Sequence, residues 1–198
     1  MAITKFDGKV AAITGAGSGM GRALALSLAS RGCHLAVSDL DGDGLTRTTE
    51  LIEASCKVKV STHTIDVADK DQVEQFAANV VEQHGKVNMI FNNAGVNLTD
   101  TAEHMSYEDF EWLMNINFWG VVYGSKSFMK YFHDVDEAHI INTSSIFGVI
   151  AVVLTVSALA SGLVERSPLS FPLIFLGLGF LLGSKGFDML EVGPIPPS

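Results

Sequence analysis

The sequence predicts an α/β fold in which helices cover both faces of a doubly wound parallel sheet. Helix-like and strand-like segments alternate along the chain, the connections between them are short, and most of the strand-like segments are apolar runs. Strands buried on both faces lack the apolar–polar alternation of a half-exposed sheet. Parallel strands need crossover helices, and right-handed crossovers on both faces give the doubly wound arrangement.

Five strands and four helices are expected in roughly the first 145 residues. The predicted strands cover 9–14, 34–38, 58–65, 87–91 and 139–143. The predicted helices cover 22–30, 45–54, 70–84 and 106–132. Two of these helices are flanked by residues that are typical of helix ends. Asp69 is an N-cap residue before the third helix and Gly85 follows it, while Ser106 and Asp109 have the spacing of a capping box before the fourth.

Composition excludes several classes of protein. The chain has 198 residues, enough for one domain with a sizeable core, and a formal net charge of −9, which argues against a nucleic-acid partner. The two cysteines form no CxxC pair and the histidines show no HxxxH spacing, so no metal site is predicted. The N-terminus has no apolar stretch behind a basic start, and a cytoplasmic location is expected.

A glycine-rich segment, Thr14-Gly15-Ala16-Gly17-Ser18-Gly19-Met20-Gly21, lies between the first strand and the first helix. Glycines let the backbone turn sharply and approach a pyrophosphate, and the helix N-terminus adds free amides and a positive dipole end. The common GxGxxG spacing does not fit, whereas TGxxxGxG does, through Thr14, Gly15, Gly19 and Gly21. Its position between a strand and a helix predicts a dinucleotide site.

Asp39 stands at the end of the second strand, 18 residues after Gly21. A carboxylate at this position can accept hydrogen bonds from both hydroxyls of an adenine ribose, and it repels a 2′-phosphate. The expected cofactor is therefore NAD rather than NADP. The alternative is a solvated turn residue among Asp41 and Asp43.

Further motifs follow in order. They are Asp66-Val67 after the third strand, Asn92-Asn93-Ala94-Gly95 after the fourth, Asn117 in the long helix, and Ile141-Asn142-Thr143-Ser144-Ser145 in the fifth strand. Through these motifs and the glycine-rich segment, residues 5–149 resemble the short-chain dehydrogenase/reductase family. The resemblance implies a Rossmann-like fold. It also implies that a dinucleotide is bound by Thr14, Gly15, Ser18, Gly19, Met20, Gly21, Asp39, Asp66, Val67, Asn93, Ala94 and Gly95.

The resemblance also assigns catalytic roles. Ser145 would polarise a small alcohol or carbonyl substrate, and Asn117 would hold a water in a proton relay. The family places a Tyr about a dozen residues after the Ser and a Lys four residues after that Tyr, where the ammonium lowers the phenol pKa. All three tyrosines of this sequence precede Ser145, and none has Lys at the fourth following position. Hydride transfer between nicotinamide and substrate is therefore expected to be impaired.

The composition changes just after Ser145, because 146–164 and 167–184 contain no charged residue. The chain thus divides into a predicted dinucleotide-binding domain, 1–149, and an apolar helical tail, 150–198. The 19 residues of 146–164 are just long enough for a membrane helix, and the last fifty residues resemble the opening of a cation/proton antiporter. Three interpretations of this tail stay open. It associates with a membrane through 146–183, it packs as a helix against an incomplete sheet, or it results from the joining of two unrelated coding pieces near residue 150.

Three functions are compatible with these patterns. The first is an NAD-linked oxidoreductase, the second is a catalytically silent dinucleotide-binding module, and the third is a membrane transport fragment fused to such a module. The third ranks last, because one and a half apolar segments cannot build a transport path. The helix over 106–132, with Trp112, Phe118, Trp119 and Tyr123, resembles the helix by which relatives pair, so homo-oligomers are expected.

Overall fold

A parallel sheet of five strands organises the computed structural model, which describes residues 5–99, 101 and 103–144. Apart from Ser144, these residues belong to one compact unit, Met1–Thr143. The strands are β1 (Val10–Thr14), β2 (His34–Asp39), β3 (Val60–Thr64), β4 (Met89–Asn92) and β5 (His139–Asn142). Their order is β3-β2-β1-β4-β5, and each neighbouring pair is parallel. The order reverses between β1 and β4, which confirms the predicted doubly wound, Rossmann-like sheet.

The helices are α1 (Gly19–Ala29), α2 (Gly42–Glu53), α3 (Lys70–His84), α4 (Tyr107–Met114) and α5 (Gly120–Met129). The long helix predicted over 106–132 is continuous from Tyr107 to Met129, but it ends three residues early and is not α-helical throughout. A π-helical turn, Asn115–Trp119, lies between α4 and α5, and a 3₁₀ turn, Phe132–Asp134, follows α5. A hydrophobic pattern does not reveal such a local change of hydrogen bonding, and π turns of this kind often lie at functional sites.

The predicted helix ends of α3 and α4 are confirmed. The Asp69 side chain accepts hydrogen bonds from the amides of Asp71 and Gln72, and Gly85 ends α3 in a left-handed conformation. Ser106 and Asp109 form the capping box at the start of α4. These ends depend on side chains close in sequence, so the sequence signals are direct.

The core lies on both faces of the sheet, because every residue of β1 is buried. On one face α1 and α2 bury Leu28, Leu45 and Ile52 against the sheet. On the other face α3 and α5 contribute a second cluster that includes Phe76 and Phe128, whose ring centroids are 5.4 Å apart. The helices thereby leave the carboxyl edge of the strands free for loops.

The described part of the chain includes no helix that is both long and apolar enough to cross a membrane. Within the same residues, no cluster of three or more metal-binding side chains occurs. The predicted membrane segment 146–183, the tail 150–198 and Ser145 all lie outside the described residues.

A buried serine joins two histidines at the far edge of the sheet. Ser61 Oγ on β3 lies 2.9 Å from Nε2 of His63 and 2.8 Å from Nε2 of His84. Burial lowers the pKa of His63, and burial, helped by the nearby charge of Lys59, lowers the pKa of His84 to about 4. Both rings are therefore neutral at pH 7. Because Ser61 has a single hydroxyl proton, it donates a hydrogen bond to one ring and accepts one from the N–H of the other.

Acid is expected to destabilise the fold through His84. In the unfolded chain the imidazole of His84 takes up a proton near its ordinary pKa of 6.5, and in the folded chain it does so only near pH 4. The contribution of neutral His84 to the free energy of unfolding is complete above pH 6.5 and is lost progressively as the pH falls to about 4. Urea unfolding across this window should give a flatter pH dependence for His84→Gln than for the wild type. His133→Gln, at an exposed histidine, is the control, and an unchanged slope in His84→Gln would contradict this assignment.

Candidate functional site

A cleft opens at the carboxyl edge of the sheet, with a volume of about 340 Å³. Its walls come from the loops that follow β1, β2, β3 and β4 and from the π-helical turn. The lining residues are Gly15, Ser18, Gly19, Met20, Gly21, Asp39, Leu40, Ile65, Asp66, Val67, Asn93, Ala94, Gly95, Val96 and Ile116. Every residue that the sequence predicted to bind cofactor is among them except Thr14.

The sequence analysis missed four apolar residues of this lining. Leu40, Ile65, Val96 and Ile116 each stand directly beside a predicted site residue in the sequence. Leu40 is 70% exposed although it is a large apolar side chain. Adjacency to the predicted site residues was the signal that could have identified all four.

The glycine-rich turn passes very close to the loop after β4. Gly15 has a φ of +67°, and a Cβ there would lie 2.8 Å from the Cα of Ala94. Gly21, in the first turn of α1, leaves no room for a Cβ, which would overlap the carbonyl oxygen of Gly15. Only glycine fits at either position without moving backbone.

Thr14 lies behind the cleft, where it joins the turn to the loop after β4. Its hydroxyl oxygen accepts hydrogen bonds from the amides of Asn93 and Ala94, both at 3.0 Å, and donates to the carbonyl of Phe91 at 3.3 Å. The Asn93 side-chain amide donates in return to the carbonyls of Thr14 and Gly15. Thr14 therefore acts as a buried link between two loops.

Asp39 is held at the rim of the cleft by two backbone amides. Its Oδ2 accepts from the Gly17 amide at 2.8 Å, and its Oδ1 accepts from the Asp41 amide at 3.0 Å. A carboxylate has about four lone-pair positions, so each oxygen can accept one more hydrogen bond. Asp41, by contrast, caps α2 through the Gly44 amide at 3.0 Å.

Asp66 is also fixed by local hydrogen bonds. Its Oδ1 accepts from the amide of Ala68 at 2.8 Å, and its own amide donates to Gln72 Oε1 at 3.0 Å. The Gln72 side chain donates to the helix-capping carboxylate of Asp69 at 2.8 Å. Gln72, which the sequence analysis did not select, thus connects the start of α3 to the cleft.

Asn117 lies in the π-helical turn and joins it to the chain after β4. Its Oδ1 accepts from the Val96 amide and its Nδ2 donates to the Val96 carbonyl, both at 2.9 Å. The second N–H of the side-chain amide and one lone pair of its oxygen are not used by these bonds. Ser145, the other predicted catalytic residue, lies outside the described residues.

The helix predicted to pair copies of the chain has an exposed aromatic surface. Trp112, Phe118 and Trp119 are each about half exposed. Trp119 stacks on Tyr123 at a centroid distance of 5.8 Å, so the Tyr123 ring packs α5 against the π-helical turn. Pairing through this helix stays a prediction.

Comparison with known proteins gives one family. The family described as "short chain dehydrogenase" matches residues 9–161, a range that runs past residue 149, where the resemblance found in the sequence ended. The putative oxidoreductase SadH of Mycobacterium tuberculosis is 43% identical over 150 residues, which are 76% of this chain and 54% of that protein. The chain thus spans about half the length of this curated relative.

Solved structures of similar proteins contain both forms of the dinucleotide. A short-chain dehydrogenase/reductase from Burkholderia phymatum in complex with NAD is 34% identical, with a TM-score of 0.68 over 79% of this chain and 61% of that one. A metagenomic short-chain oxidoreductase in complex with NADP is 28% identical, with a TM-score of 0.67 over 71% of this chain and 63% of that one. The chain is therefore similar to these proteins in its backbone fold as well as in its sequence.

Proposed function

Because the chain belongs to the short-chain dehydrogenase family, we propose that its cleft binds NAD for hydride transfer between nicotinamide and an alcohol or carbonyl. One observation carries the proposal. The unblocked start of α1, the glycine-rich turn and the carboxylate of Asp39 all face one cleft at the edge where the strand order reverses. Eleven of the twelve predicted residues line the cleft and are the proposed contacts to NAD, and Thr14 supports them from behind the cleft.

The diphosphate would lie against the first turn of α1. Within the described part of the chain, the amides of Ser18, Gly19 and Met20 have no hydrogen-bond partner, as expected for the first amides of a helix. The helix dipole adds a partial positive charge at the same place. An anion bound there needs no basic side chain.

The preference for NAD over NADP rests on the charge of the cleft. Asp39 lies at its rim, and none of the described residues that line it is Lys or Arg. A 2′-phosphate beside this carboxylate would meet repulsion without a compensating cation. The free ribose hydroxyls of NAD would instead donate to the lone pairs that Asp39 leaves open.

Replacing Asp39 by alanine tests this assignment. The Kd for NAD is expected to rise about tenfold, which is about 1.4 kcal/mol, because the ribose loses its acceptor. The Kd for NADP should change little or decrease, because the repulsion is removed. Calorimetry on both cofactors makes the comparison. Asp43→Ala removes an exposed carboxylate in the first turn of α2 and serves as the control. Equal effects of Asp39→Ala on both cofactors would refute the preference.

The catalytic part of the proposal concerns Ser145 and Asn117. After Ser145 the sequence has no Tyr and only one Lys, Lys185, so no phenol is available there to exchange a proton with the substrate. We infer that NAD binding is retained and that hydride transfer is impaired. Oxidation of an alcohol panel distinguishes the oxidoreductase from the silent binding module. Turnover that Ser145→Ala abolishes supports an oxidoreductase, and NAD binding without turnover supports a silent binding module.

A further inference from the structure

We propose that Arg22 and Thr48 are positioning residues that hold the glycine-rich turn in its diphosphate-binding form. This inference rests on the proposed function, because it concerns the same turn. Neither residue lines the cleft. Arg22 lies on α1 and Thr48 on α2, so they join two helices behind the loop.

The two side chains form a chain of hydrogen bonds that ends on the turn. Arg22 Nε donates to Thr48 Oγ1 at 2.9 Å, and the Thr48 hydroxyl lies 2.9 Å from the carbonyl oxygen of Ala16 and 3.0 Å from that of Gly44. Arg22 Nη2 donates directly to the carbonyl of Gly17. Thr48 is fully buried, so its hydroxyl has no water as an alternative partner.

These contacts set the direction of two successive peptide groups. In a trans peptide the N–H points away from the carbonyl that precedes it. With the Ala16 carbonyl held at Thr48, the next amide, that of Gly17, points to Asp39 Oδ2 at 2.8 Å. With the Gly17 carbonyl held at Arg22, the amide of Ser18 points away from Arg22, and Ser18 lines the cleft.

A turn with this composition needs such support. Glycine occupies every second position from 15 to 21, and glycine loses more conformational freedom on ordering than any other residue. A turn that is ordered before the ligand arrives spares the ligand that entropic cost. A charged donor at the start of the hydrogen-bond chain makes its members stronger than neutral pairs.

The test is calorimetry of ADP-ribose with the full chain and its variants. Arg22→Met and Thr48→Val should each raise the Kd of ADP-ribose about tenfold, since each breaks the same chain of hydrogen bonds. Thr48→Ser should have the wild-type Kd, because serine keeps the hydroxyl. The Kd of Arg22→Lys should lie between those of the wild type and Arg22→Met, because one ammonium cannot donate to both partners of the guanidinium. Arg47→Met, which removes an exposed guanidinium beside Thr48, is the matched control.

A second ligand distinguishes positioning from general stabilisation. Adenosine has no phosphate, so its affinity, followed by NMR titration, should change far less than that of ADP-ribose. Equal losses for both ligands, or ADP-ribose binding at the wild-type level in Arg22→Lys and Thr48→Val, would overturn the proposal. A loss in Arg22→Met without a loss in Thr48→Val would mean that Arg22 acts without Thr48, which also overturns the proposal. Failure of the wild type to bind ADP-ribose would refute the proposed function itself.

Discussion

Replacing Gly21 by alanine is expected to abolish NAD binding and to lower the free energy of unfolding by about 3 kcal/mol. The new Cβ would overlap the carbonyl oxygen of Gly15 and would lie 2.7 Å from Nδ2 of Asn93. Gly21 is buried in the first turn of α1, so the methyl group cannot turn outward. Relief of the overlap requires the turn to separate from the helix, and the proposed diphosphate site would be lost with it.

Calorimetry with NAD and urea unfolding together check this result. Gly42→Ala is the control, because a Cβ at the first residue of α2 would make an ordinary contact of 3.5 Å with Thr64 Oγ1. That variant should bind NAD as the wild type does. A Gly21→Ala protein with wild-type affinity would show that the ligand does not depend on the close approach of turn and helix.

Thr14→Val is expected to destabilise the fold by about 2–4 kcal/mol, since it leaves two amides without an acceptor. Those amides belong to Asn93 and Ala94, in the loop that forms one wall of the cleft. Thr14 is 4% exposed, so water cannot easily replace the hydroxyl. NAD binding should weaken together with stability, because the two loops lose their connection.

Thr14→Ser provides the comparison, because serine keeps the hydroxyl and removes only a methyl group. Its free energy of unfolding should stay within about 1 kcal/mol of the wild type, since the amides keep their acceptor. Urea unfolding of the two variants measures the difference. If Thr14→Ser were as unstable as Thr14→Val, the methyl group rather than the hydroxyl would carry the effect.

The sequence predicted those parts of the fold and the cleft that depend on local signals. The observed strand ends lie within two residues of the predicted ones, because the short apolar runs end at glycine, aspartate or asparagine. Asp39 is the last residue of β2 and Asp66 lies two residues after the end of β3, so a parallel sheet necessarily brings them to one edge. Their convergence in the cleft therefore follows from the order of strands and carboxylates along the chain.

Contacts between elements distant in sequence were not predictable in this way. The hydrogen bond of Arg22 to Thr48 spans 26 residues and depends on how α1 packs beside α2. The link from Thr14 to Asn93 spans 79 residues. The sequence also placed the start of α1 at Arg22, three residues late, since glycine is a poor helix former and Gly19 and Gly21 belong to the first turn.

Backbone amide shifts on titration with ADP-ribose test the central claim most directly. In the ¹⁵N-labelled full chain, the largest changes are expected at the amides of Ser18, Gly19 and Met20, with further changes in the loop of Asn93 to Gly95. The amides of Ser55 to Val58, at the opposite end of the sheet, should not move. Binding that shifts those amides and leaves 18–20 unchanged, or the absence of binding, would contradict a diphosphate site at the start of α1.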